Sequence, residues 1–292
     1  MGGHTKVGLG VGLCKRARAS CFAFPLLLCL TLAGCRGRVD SAWTAFVPPD
    51  TMALAGIRLD QLRATPVYRK LAGQHRLPRF DEFRNDTGID PERDIRELLL
   101  AYDGQNALWI ARGAFQMKEP GSPRNSAITI VDQDTALAGP APVVRAAIDR
   151  YKSGRGGAPG SLLARVEALP GDPQIWAVTG GWTGLRPDTL RQMGNAANLD
   201  RVLRSAESTT LTADLRAGLH AAMAAECRTE PDALNLSAEL RGLLGLMRSV
   251  PRNRPDLRRA FDAVQVTQQG RSVKVNVDIP QDLVKRLLDG AR

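Results

Sequence analysis

Leu98-Leu-Leu-Ala-Tyr102, Asp103-Gly104-Gln105-Asn106 and Ala107-Leu-Trp-Ile-Ala111 form the stretch that decides the fold class. Two short apolar runs flank a cluster of turn formers, the pattern of a β-hairpin, extended here over Asp94–Phe115. A second strand pair, Ala127–Val131 and Thr135–Leu137, is expected around the turn Asp132-Gln-Asp134. Period then changes. Behind Pro140 and Pro142, Val143, Val144, Ala147, Ile148 and Tyr151 recur at helical spacing. Strands made of hairpins and helices placed between them point to an α+β fold.

Upstream of the hairpin, folding is expected to begin after Val47-Pro-Pro-Asp50 with a strand over Met52–Ile57. Thr65-Pro66 supplies an N-cap and a proline at the first helical position. A further helix near Pro78–Asp86 stops at Gly88, a residue suited to the left-handed turn after a helix. Downstream, Ser153-Gly-Arg-Gly-Gly-Ala-Pro-Gly160 reads as a linker. Strands follow at Gln174–Thr179 and Ser208–Asp214, with helices at Leu199–Ala206, Leu219–Ala225, Ala233–Met247 and Leu257–Phe261. A strand pair, Ala263–Gln268 and Ser272–Asp278, turns at Gln269-Gly270, and a helix over Gln281–Leu288 closes the chain. Pro140–Asp149 also matches Pro280–Asp289 at an offset of 140 without gaps, and both segments follow a hairpin. The expected architecture is therefore two related α+β halves, 47–153 and 171–292, joined by a linker over 154–170. Each half is an antiparallel sheet with helices packed on one face.

The N-terminus has a different character. Lys15-Arg16-Ala17-Arg18 precedes an apolar run from Cys21 to Gly34, and Cys35 follows. A basic region, an apolar stretch and small residues at a cut site are the parts of an export signal. Fourteen residues make a helix of about 21 Å, short of the roughly 30 Å of a bilayer core. Leu32-Ala33-Gly34-Cys35 resembles the lipobox of bacterial lipoproteins. The resemblance implies a diacylglyceryl group on the Cys35 thiol and cleavage between Gly34 and Cys35. On that reading 1–34 is a signal peptide and 35–46 a polar tether, ten of whose residues reach about 36 Å at most. Arg36, standing where Asp marks inner-membrane retention, leans the expectation towards the outer membrane. The body also resembles a group of uncharacterised exported bacterial proteins, through Val47-Pro-Pro-Asp-Thr51, Ala55-Gly56, Thr65-Pro66-Val-Tyr68, Thr87-Gly-Ile-Asp-Pro91 with Asp94-Ile95, and Thr135-Ala-Leu-Ala-Gly139. That group implies a two-lobed α+β fold and no activity; its members fill the Gln116–Asn125 gap with a helix and a strand.

Composition narrows the functions. The net charge is +10, from 40 Lys and Arg against 30 Asp and Glu. Residues 1–34 hold four cations and no acid, which leaves 36 basic and 30 acidic residues behind them, or +6. Acids and arginines alternate, as in Asp90-Pro-Glu-Arg-Asp-Ile-Arg-Glu97, so the charge is spread over solvated faces and not gathered into a nucleic-acid patch. His75 and His220 are the histidines after the signal, and no HExxH, CxxC, GxSxG or phosphate-loop motif occurs, so no metal, cofactor or nucleophilic triad is expected. Asp81/Glu82 and Asp132/Asp134 are carboxylate pairs that helix-surface and turn chemistry explain. Cys227 reads as a small buried residue of a helix, with His220 two turns away. Two candidate contact sites remain. Trp176 and Trp182 flank Gly180-Gly181 and would make an aromatic platform for a ligand, although one core tryptophan and one packed beside a glycine turn is the favoured reading. Arg252, Arg254, Arg258 and Arg259 form the densest basic run and would meet lipid headgroups or wall polymer, or simply cap a solvated helix. The expected function is a membrane-tethered envelope protein that binds or scaffolds an envelope protein or polymer without catalysis. The alternative is a tethered hydrolase acting on envelope polymers.

Overall fold

Alternation and turn chemistry at the central hairpin produce the expected pair. β2 (Ile95–Tyr102) lies antiparallel to β3 (Ala107–Gly113), with Tyr102 opposite Ala107. The Asp103 carboxylate accepts from the amides of Gln105 and Asn106 at 2.7 and 2.6 Å and closes the turn. This computed structural model describes residues 41–74, 84, 88–115, 128–155, 157–181, 205–249 and 254–290.

Strands β1 (Ala53–Arg58), β4 (Ile128–Ile130), β5 (Thr135–Ala138), β6 (Ile175–Thr179), β7 (Ala206–Asp214), β8 (Gly218–Cys227), β9 (Val264–Gln269) and β10 (Ser272–Pro280) join β2 and β3 in one ten-stranded antiparallel sheet. The order is β4-β5-β3-β2-β1-β6-β7-β8-β10-β9. The halves expected from sequence are thus parts of one sheet, continuous through the β1–β6 ladder, where Ala55 faces Ala177. Helices are α1 (Ser41–Thr44), α2 (Leu59–Arg63), α3 (Pro66–Gly73), α4 (Ala141–Ser153), α5 (Gly160–Glu167), α6 (Glu230–Ser249), α7 (Pro255–Asp262) and α8 (Gln281–Gly290). The fold class is α+β, as expected.

Side-chain parity separates two apolar layers. Leu54, Leu99, Ile110, Leu137 and Val178 share one face of the sheet and pack against Val144 and Ala147 of α4 and Leu162 and Val166 of α5. Ala225 and Val273 point to the other face, where Ala233 and Leu236 of α6 cover them. Ile279 on that same face packs with Ala260 of α7 and Leu283 of α8. Apolar burial at about 25 cal/mol per Å² makes these layers the main favourable term.

Four expectations are corrected. Leu219–Ala225, expected as a helix, is the centre of β8. Its alanines favour helix locally, but β7 and β10 flank it on both sides and their ladders decide the outcome. The linker over 154–170 contains α5, whose Leu162 and Val166 are buried. The tether over 35–46 is already folded at its end: α1 begins at Ser41, and Trp43 and Phe46 are core residues. Ala206, expected at the end of a helix, opens β7, while the earlier part of that expected helix lies outside the described residues. The helix expected near Pro78–Asp86 also lies outside them apart from Arg84, though Gly88 does adopt a positive φ of 72°. Gln116–Asn125 lies outside them as well.

Candidate functional site

The two candidate sites from sequence come apart. Trp176 is 4% exposed and sits in the main core, so it offers no ligand platform. Its cross-strand partner is Gly56, and a Cβ at Gly56 would lie closer than 3.0 Å to three atoms of the indole. The missing side chain is the space the ring occupies. Trp182 lies outside the described residues.

Of the basic run, Arg252 lies outside the described residues, and Arg254 and Arg258 are exposed. Arg259 approaches Asp256 at 3.9 Å, and Arg286 of α8 holds the same carboxylate at 3.0 Å. Acids and arginines therefore interleave on α7, as they do along the sequence, and Arg258 and Arg259 belong to a solvated helix surface.

The catalytic candidates are equally dispersed. His220 Nδ1 lies 3.0 Å from Asp278 on an exposed part of the sheet. Cys227 is not helical; it ends β8 and is buried, and burial pushes its thiol above the usual range. Seven strand residues, about 23 Å, separate it from His220. Asp132 accepts from the Asp134 amide at 2.8 Å, a turn bond, while Asp134 lies 3.5 Å from Arg96. His75 and Asp81/Glu82 lie outside the described residues, as do Gly34 and Cys35. Among the described residues no cluster of three or more His, Cys, Asp or Glu could hold a metal ion, and no helix is long and apolar enough to cross a membrane.

Sequence reasoning missed the junction where the N-terminal chain joins the body. The Phe46 ring stacks on Tyr151, centroids 4.3 Å apart and planes 13° from parallel. Arg150 donates from Nη2 to the Phe46 carbonyl at 3.2 Å, and burial lowers its pKa while Asp50 opposes that shift. Arg112 lies over the Trp43 ring at 5.1 Å. The two Phe46 contacts fasten the segment after α1 to the last turn of α4, while the Arg112 contact ties α1 itself to β3. Gly154 then ends the helix at φ 65°, ψ 14°, leaving Tyr151, Lys152 and Arg155 exposed at its tip. The signal was present in the sequence as Trp43 and Phe46, two aromatics inside a segment otherwise polar enough to read as tether.

No protein-family model matches the sequence, and no curated protein does. Among solved structures the chain is similar to TP0453 in its crystal form I, with a TM-score of 0.51 at 6% identity. The match covers 85% of this chain and 96% of that one. At that identity the likeness is one of fold alone.

Proposed function

We propose that the protein is a lipid-anchored component of a bacterial cell envelope, facing the periplasm from the outer membrane, that binds or scaffolds an envelope protein or polymer. The carrying observation is the ordered series of basic region, apolar run and Leu32-Ala33-Gly34-Cys35. The start of the body agrees with it. Only the residues between Cys35 and Ser41 separate the thiol from the first described helix, a reach of about 22 Å at full extension. An acylated Cys35 would hold the folded body close against the bilayer, and two or more acyl chains make that hold stable.

The test is chemical. Mass spectrometry of the N-terminus of protein extracted from membranes is expected to give a peptide beginning at Cys35 with its thiol diacylglycerated. Cys35→Ser is expected to release the protein to the soluble fraction when membranes are washed at high salt, which removes headgroup contacts and leaves acyl anchors in place. An unmodified native terminus, or undiminished membrane association of the serine variant after that wash, overturns the anchor. For the binding role, cross-linked lipidated protein is expected to bring down the same envelope component in replicate preparations; replicates with none in common reject that role.

A further inference from the structure

We propose that the C-terminal tip of α4 is the surface of the body that rests on anionic headgroups of the bilayer, with Lys152 and Arg155 as its contacts; the proposal rests on Cys35 being the lipid anchor. Position is the first argument. An anchor at Cys35 lies within about 22 Å of Ser41, and Phe46, five residues further, is stacked on Tyr151 and hydrogen-bonded to Arg150. The last turn of α4 is thereby fixed beside the place where the anchored chain meets the fold.

Chemistry is the second argument. Among the described residues neither Lys152 nor Arg155 makes an ion pair, and both are exposed. Two carboxylates, Asp149 exposed on α4 and Asp50, whose charge acts on Arg150, are set against the three cations Arg150, Lys152 and Arg155. Tyr151, half covered by Phe46, presents an apolar body and a polar hydroxyl, the make-up of residues at bilayer interfaces. The rival basic surface on α7 carries Asp256 and Asp262 among its arginines, and α7 packs on the opposite face of the sheet from α4.

Each cation near an anionic membrane surface is worth about five-fold in partitioning. The assay uses the chain from residue 35 onwards, which contains every described element, carrying Cys35→Ser so that headgroup contact is read without the anchor. Sedimentation with vesicles of phosphatidylglycerol and phosphatidylcholine in equal parts is expected to show salt-sensitive binding, absent on phosphatidylcholine alone. The Lys152→Gln/Arg155→Gln double is expected to lower it about 25-fold, whereas Arg258→Gln/Arg259→Gln leaves it unchanged. All four positions are exposed, and an unaltered melting temperature in each double excludes misfolding as the cause. Binding undiminished in the first double, absent from the parent, or equally reduced in both doubles overturns the proposal. The native-terminus measurement above decides the anchor separately, so an unlipidated Cys35 with tip-dependent vesicle binding, or the reverse, identifies which of the two has failed.

Discussion

Replacing Gly56 with alanine places one methyl group where the indole of Trp176 already lies. The new Cβ would stand closer than 3.0 Å to Cε2, Cζ2 and Nε1 of the ring. Leu54, Leu99 and Val178 on the same face are buried, so the ring can shift only by displacing other core side chains. Overpacking of this kind costs about 1–3 kcal/mol, and relief of glycine's unfolded-state entropy returns roughly 0.5–1 kcal/mol. Taking the middle of each range, the net loss is about 1.2 kcal/mol, or a fall of about 2–5 °C in melting temperature for a chain of this size. Thermal melts followed by circular dichroism measure it. Trp176→Phe removes the ring that clashes, so in the Gly56→Ala background it should cost at least about 0.5 kcal/mol less than in the parent. A melting temperature unchanged or raised in Gly56→Ala, or strict additivity of the two substitutions, would refute the fit of ring into gap on which the assignment of Trp176 to the core depends.

Three further outcomes are expected. Leu236→Ala, at a fully buried position of α6, should destabilise by about 2–5 kcal/mol in denaturant titration, whereas Leu246→Ala on the same helix, at a position 66% exposed, should stay within about 0.5 kcal/mol; equal effects would reject the assigned facing of α6. Cys227 should resist thiol reagents near pH 8 in the native protein and react on unfolding, read by mass mapping of its peptide, because burial both shields the thiol and raises its pKa. The Arg216 side chain holds the Asp214 carboxyl below its ordinary 3.8. That stability is present above the unfolded pKa and is lost as pH falls through the folded one, so Asp214→Asn should flatten the stability–pH curve below about pH 4. Parallel acid limbs for parent and variant would show that the contact contributes nothing.

Local chemistry made part of this fold legible. The hairpin β2–β3 was readable because Asp103-Gly104-Gln105-Asn106 closes its own turn, and α3 because Thr65 caps it, accepting from the Tyr68 amide at 3.1 Å. β8 was not, since Ala221, Ala222, Ala224 and Ala225 carry a helical preference that only neighbouring strands override. Nor could α5 be seen: one helix of eight residues set behind Gly-Pro punctuation has too few turns to show a period. The pairing of Gly56 with Trp176 joins residues 120 positions apart, and no window on the sequence contains both. For the same reason the tip of α4 read only as the start of a linker. Its meaning comes from Phe46, over a hundred residues earlier.

Strand order and layering together explain a polar alternation near the C-terminus. Outward from the β1–β6 contact the order is first-second-third-fifth-fourth on both sides: β1-β2-β3-β5-β4 and β6-β7-β8-β10-β9. A two-fold axis normal to the sheet would exchange antiparallel β1 and β6 and carry one series onto the other without exchanging faces. The helices do not follow it. Leu137 on β5 packs in the layer under α4, while Val277 on β10, at the matching offset of 140, packs in the layer under α8 on the opposite face. With α6, α7 and α8 all on that side, the α4 side of β9 and β10 has no helix to cover it among the described residues. Gln265, Thr267, Lys274 and Asn276 stand exposed there. Val264-Gln-Val-Thr and Val273-Lys-Val-Asn thus alternate because one face of these strands is packed and the other is wet. The same arrangement keeps the tip of α4, on the far half of the molecule, clear of the C-terminal helices, which is the access that contact with a flat bilayer requires.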